Sequence, residues 1–120
     1  MNFTIQHHNL EHHHIERVVI VYGFFSDSPH YDMVMTIVVK RGYGFVYGFV
    51  SKKPLDINNF RSLWAYLKDN LKIRFLVFEA LLEHSVFYKE HLPVVKIEKV
   101  KTFNGHDCEK LTVDLRGDLR

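Results

Sequence analysis

The stretch Lys72 to Leu92 (KIRFLVFEALLEHSVFYKEHL) decides the fold, because its apolar residues satisfy two incompatible periodicities. Ile73 to Leu81 is a near-continuous apolar run of strand length, the pattern of a central strand buried on both faces, and it leaves Glu83 to His91 for a short helix. Leu71, Phe75, Phe78, Leu82 and Val86 also recur at helical spacing with no Gly or Pro between them, which allows one long helix instead. The strand reading is preferred. Pro93 ends either version.

Upstream, the chain reads as β-structure. Glu16 to Phe25 is rich in β-branched and aromatic residues, and Ser26-Asp27-Ser28-Pro29 supplies turn chemistry after it. From Tyr31 to Lys40 the residues Tyr31, Met33, Met35, Ile37 and Val39 share one strand face. Arg41-Gly42-Tyr43-Gly44 is a glycine-bearing turn, and Phe45 to Ser51 makes the third strand of a meander. In that strand Tyr43, Phe45, Tyr47 and Phe49 form an aromatic face, expected to pack beneath the helix. Met1 to Gln6 is expected as a short edge strand. Between Asp56 and Asn70, apolar residues at Ile57, Phe60, Trp64, Leu67 and Leu71 mark an amphipathic helix. Asp56 is its N-cap, and Leu55 with Phe60 occupies the two positions of a hydrophobic staple. After Pro93, Val94 to Phe103 and Glu109 to Leu115 form a hairpin across Asn104-Gly105. Residues 116–120 are expected to fray.

A length of 120 residues fits one domain, 1–120, with a histidine-rich segment at 7–14. Sixteen basic against fourteen acidic residues give a formal charge of +2, which supplies no drive toward nucleic acid or a membrane surface. Cys108 is the single cysteine, so no internal disulfide forms, and a cytoplasmic location is the default. No membrane span or signal peptide is expected.

The order of elements and the segment Phe78 to Val94 (FEALLEHSVFYKEHLPV) resemble the GCN5-related N-acetyltransferase (GNAT) family. Members often carry a motif of the type N-x-x-A-x-x-F-Y-E-K-x-G-F after the central strand, and Phe87-Tyr88-Lys89-Glu90 stands where F-Y-E-K would. The likeness spans about Tyr31 to Leu115. It implies an α+β class: a mostly antiparallel meander with one main helix, a central strand, a short helix and a C-terminal β-hairpin. For an active member it implies acetyl-CoA, with Tyr88 protonating the departing thiolate. Glu79, at the end of the central strand, is the candidate general base, acting through water. Against this, Phe87 and Tyr88 suit simple docking of the short helix on the sheet, and Glu79 suits a solvated surface position.

The connection Ser51-Lys52-Lys53-Pro54-Leu55-Asp56 takes the place of the family's glycine-bearing pyrophosphate loop. It contains no glycine. Lys52 and Lys53 are the candidate cofactor-binding residues, because they supply positive charge. Pro54 has no amide to offer, and Asp56 puts a carboxylate at the helix N-terminus. The resemblance is therefore to a reduced member, similar to small phage-encoded versions of the family. The expected function is a non-catalytic interaction protein without a cofactor, an accessory factor of a phage or mobile element whose partner is a host or virion protein. The alternatives are an acyl-CoA-dependent N-acyltransferase using Tyr88, and an unrelated α+β binding domain.

Two further groups carry metal-ligand or nucleophile chemistry in principle. His7, His8, His12, His13 and His14 are dense, and His8 with His12 has the spacing of a helical metal pair, yet only Glu11 and Glu16 stand near as acidic ligands. Adventitious surface affinity is expected there, with no structural metal. Cys108 adjoins His106 and Asp107, but adjacent residues in a hairpin point to opposite faces, so no nucleophile-base pair is expected.

Overall fold

A computed structural model describes residues 1–12, 15–25, 29–101 and 104–120. In chain order the elements are β1 (Asn2–His12), β2 (Ile15–Phe24), β3 (Met33–Lys40), β4 (Tyr43–Ser51), α1 (Ile57–Asn70), β5 (Phe75–Leu81), α2 (Leu82–His91), β6 (Val94–Lys101) and β7 (Asp107–Asp114). The seven strands form one sheet in the order β1-β2-β3-β4-β5-β7-β6. Neighbours are antiparallel except β4 and β5, which run parallel and are joined by the crossover helix that a parallel pair requires.

The fold class needs correcting. The expected α+β fold is a mostly antiparallel meander with one main helix, a central strand, a short helix and a C-terminal β-hairpin; the molecule is instead dominated by one seven-stranded mixed sheet, with its two helices subordinate to it. The largest difference lies at the N-terminus. Residues expected as a short edge strand plus a histidine-rich segment form one strand of eleven residues, with His7 opposite Val19 and His8 opposite Val18. His and Asn have little intrinsic strand preference, so this stretch is held by pairing with β2 rather than by its own propensity. The helical metal pair His8/His12 is thereby removed, since both lie in strand and the register shifts between Asn9 and His12. His13 and His14, the turn residues Ser26, Asp27 and Ser28, and Thr102 and Phe103 lie outside the described residues.

Other elements sit where the sequence places them. Residues 72–92 resolve into a strand and a helix: Leu71 caps α1, Lys72 adopts the left-handed conformation (φ 51°) that ends it, and β5 begins at Phe75. Leu76 and Val77, on opposite faces of β5, are both buried. β3 alternates as expected, with Met33, Met35, Ile37 and Val39 buried. Arg41 and Gly42, both at positive φ, make the two-residue turn that matches hairpin twist.

Strand pairing assigns the faces. Leu76, Phe78 and Ala80 stand opposite Val113, Leu111 and Glu109 on the face that packs with Leu63, Trp64 and Leu67 of α1. α2 lies on the same face, since Ser85 Oγ donates to Glu109 Oε1 (2.7 Å) and the Tyr88 ring meets Phe78 at 5.1 Å. Both helices therefore cover one side of the sheet. The chain end is tied down too: Arg120 N–H donates to the His91 carbonyl (2.9 Å), and Leu119 packs against the core. That tail was expected to fray.

Candidate functional site

β4 and β5 are paired over only three residue pairs, Tyr43–Phe75, Gly44–Leu76 and Phe45–Val77. Beyond them the strands part. β4 continues with β3 to Ser51, while β5 continues with β7 to Leu81. The cause is a bulge in β4: Ile37 pairs with Val46 and Thr36 with Gly48, leaving Tyr47 extra, and such an insertion bends its strand. The opening lies at the C-terminal ends of two parallel strands, the place where open α/β sheets hold ligands.

The bulge also breaks the expected aromatic face. Before it, Tyr43 and Phe45 point away from the helices, while Gly44 and Val46 point toward them. After it, Phe49 lies opposite Met35 on the helix side, yet is 43% exposed. Under α1 the strand offers a glycine and a valine rather than four aromatic rings.

On the helix side of the opening, an aromatic cluster joins α1 to α2. Phe60 meets Phe87 at 5.8 Å and Tyr88 at 6.2 Å, and Tyr88 stands edge-on to Phe78. Glu83, His84, Phe87 and Tyr88 line an open depression of about 430 Å³. Burial pushes the Tyr88 phenol above its ordinary pKa, so it stays protonated at neutral pH.

The predicted site residues do not converge. Glu79 alternates with Phe78 along β5 and therefore projects from the opposite face of the sheet, exposed and opposite Lys110. Tyr88 packs over Phe78, so the sheet separates the candidate acid from the candidate base. Lys52 lies 3.8 Å from the Asp32 carboxylate, whose other oxygen accepts from Phe25 N–H. Lys53 sits over the Phe25 ring at 4.9 Å. Both lysines thus engage the end of β2 and the start of β3. At the head of α1, Asp56 Oδ1 accepts from Asn59 N–H (2.7 Å), so the helix satisfies that amide with its own carboxylate.

Sequence reading missed one charged cluster. Glu109 is buried between Ser85 and Lys89, whose Nζ lies 2.8 Å from the same carboxylate oxygen. Those two hydrogen bonds, Lys89 first, hold the Glu109 carboxyl below the usual range. Ser85 and Lys89 are one helical turn apart, but nothing in the sequence says that a strand 20 residues later presents a carboxylate to both. Ser85 is wholly buried, so the cluster pins α2 to β7 rather than meeting a substrate. Cys108 is also buried, and desolvation, then Glu79 and Asp107, push its thiol pKa up. Among the described residues no group of three or more His, Cys, Asp or Glu is placed to hold a metal, and no helix is long and apolar enough to cross a membrane.

Comparison of the sequence with protein-family models and with curated proteins finds no match.

Proposed function

We propose that this chain is a non-catalytic binding domain that docks another protein on the helix-free face of its sheet. One observation carries the reading: the central strands are apolar on both sides, and the helices cover one. Pairing places Val18, Ile20 and Tyr22 of β2, Val34 and Val38 of β3, and Phe45 of β4 on the uncovered side. Strands with apolar residues on both faces are the pattern of a sheet covered twice. Val50 and Tyr43 on the same side are 67% and 40% exposed. Val18, Ile20, Tyr22, Val34, Val38 and Phe45 are half-buried, and an apolar face that no helix covers supports an interaction site.

A second reading, an acyltransferase acting through Tyr88, has the parted β4–β5 ends in its favour. The self-capped α1 and the lysines turned toward Asp32 and Phe25 weigh against it, because a pyrophosphate needs converging amides and free positive charge. Titration calorimetry with acetyl-CoA separates the two. A binding domain gives no complex tighter than roughly millimolar, since charge attraction by lysines alone is weak and salt-screened. A tight complex that survives high salt, with acetyl transfer lost in Tyr88→Phe, would make the chain an enzyme.

A further inference from the structure

The two outer strands of the sheet are built differently. β6 carries Lys96, Glu98, Lys99 and Lys101, and charged side chains of this kind keep further strands away from an edge. β1 has no such guard: from Asn2 to Asn9 it holds no Lys, Arg, Asp, Glu or Pro. Among the described residues it pairs with β2 alone, in unbroken register from Asn2 to Asn9. Its other side therefore presents a row of backbone N–H and C=O groups outside any ladder. At about 3.4 Å per residue that open edge is roughly 25 Å long. We infer that two copies of the chain join here, β1 against β1 and antiparallel about a two-fold axis, so that their sheets run on as one.

Unpaired backbone groups call for a strand, and the side chains of β1 say which. Phe3 and Ile5 lie opposite Gly23 and Val21 on the helix side, half-buried, with the Phe3 ring 5.0 Å from that of Tyr66. Asn2, Thr4, Gln6 and His8 are exposed on the other side. A strand that extends the sheet has to add apolar residues on the first side and neutral polar ones on the second, which is the alternation β1 itself carries. Antiparallel pairing sets opposite residues on one side of a sheet. A two-fold axis through Ile5 thus brings Ile5 against Ile5, Phe3 against His7, Thr4 against Gln6 and Asn2 against His8, with no acidic or basic pair opposed. The contact also supplies what the strand lacks. His7 and His8 have little strand preference and are held by β2 from one side only; a second β1 pairs them from the other. The helix-free face stays uncovered in this arrangement, which does not depend on what docks there.

Sedimentation equilibrium on the wild type and two double variants tests the pairing. Thr4→Lys/Gln6→Lys sets like charges opposite one another on both sides of the axis, whereas Thr4→Glu/Gln6→Lys sets opposite charges at the same places. The wild type is expected to approach twice the chain mass as concentration rises to roughly 200 µM, a range that reads dissociation constants of about micromolar and weaker. The doubly basic variant should weaken association about tenfold, and the mixed-charge variant should stay within about threefold of the wild type, because directly opposed like charges repel and unlike charges attract. Both positions are exposed, so the circular dichroism spectrum should not change. Hydrogen exchange gives a second readout: on dimerisation alternate amides of β1 should slow, and those of β6 should not. A wild type at single-chain mass throughout overturns the pairing, as does a dimer that the doubly basic variant leaves intact. Equal weakening by both variants overturns the register centred on Ile5, and slowed exchange that spares β1 overturns the edge itself.

Discussion

Gly44 sits where β3, β4 and β5 meet under the helices, paired with Val39 on one side and Leu76 on the other. A Cβ added there would overlap Ile73 Cδ1 and lie 3.1 Å from Ile37 Cγ2 and 3.2 Å from Leu76 Cδ1. These neighbours are buried, at 7%, 0% and 3% exposure, so the displaced methyl of Ile73 has little space to enter. Overpacking of this kind costs about 1–3 kcal/mol. The loss of glycine's freedom in the unfolded chain returns about 0.4–1 kcal/mol, because Gly44 is not at positive φ. Gly44→Ala should therefore destabilise by a net of about 1–2 kcal/mol, read from the urea midpoint at constant slope. Ile73→Val removes the overlapped methyl and alone should cost about 0.5–1.5 kcal/mol. The double variant should lose clearly less than the sum of the two, since the substitutions relieve one another. Simple additivity, or a Gly44→Ala protein as stable as the wild type, would refute the claim that Ile73 occupies the space a side chain at 44 needs.

Trp64→Ala should cost about 3–5 kcal/mol, whereas Trp64→Phe should cost much less, because it keeps a ring in the core and removes an indole N–H with no partner among the described residues; paired denaturation curves check both. Glu109 should govern part of the acid limb of stability. Its folded-state pKa is depressed, so its contribution is present above the ordinary carboxylate pKa and lost as pH falls through the depressed value. Glu109→Gln should lower the urea midpoint at pH 7 and leave a flatter decline below about pH 4.5; an acid limb parallel to the wild type's would contradict it. Cys108, buried with a raised thiol pKa, should react with iodoacetamide at neutral pH only as fast as the chain opens, and rapid alkylation of native protein would show that β7 is more accessible than its packing implies.

The elements that were legible are those in which local pattern and tertiary role agree. α1 declares itself by apolar spacing, by Asp56 and by the Leu55/Phe60 staple, and β3 by strict alternation. β5 was ambiguous because a strand buried on both sides has no period of its own. Its apolar run favours a strand but also fits helical spacing, and the left-handed Lys72 is what separates α1 from β5. β1 is legible only to Gln6 because the His, Asn and Glu residues of 7–12 carry little strand preference, and only pairing with β2 makes that stretch extended. The bulge at Tyr47 was invisible because one inserted residue reverses every later side chain, so an unbroken alternation placed Phe49 on the same face as Phe45. For the site, Tyr88 was correctly read as an α2 residue. Its separation from Glu79 depends on which face of β5 each helix chose, information that lies in the pairing and not in the spacing.

The N-terminal strand bears directly on what the open face is for. A chain with β2 to β5 apolar on both sides has two ways to cover the second side: a helix of its own, or another molecule. Here the residues ahead of β2 lie beside the sheet as β1, widening it, and none of the described segments crosses the face of Ile20, Val34 and Phe45. β1 also ends the apolar field, since its side chains on that face are Thr4, Gln6 and His8. The opposite edge of the sheet differs in kind. β6 alternates Lys96, Glu98, Lys99 and Lys101 with Ile97 and Val100, and charged, lysine-bearing edges resist pairing with further strands. An apolar centre bounded by neutral polar residues on one flank and mixed charge on the other has the anatomy of a contact surface rather than of an exposed core. On that argument the bulge at Tyr47 serves the face as much as the helix side, because Gly48 beyond it leaves the hollow beside Val50.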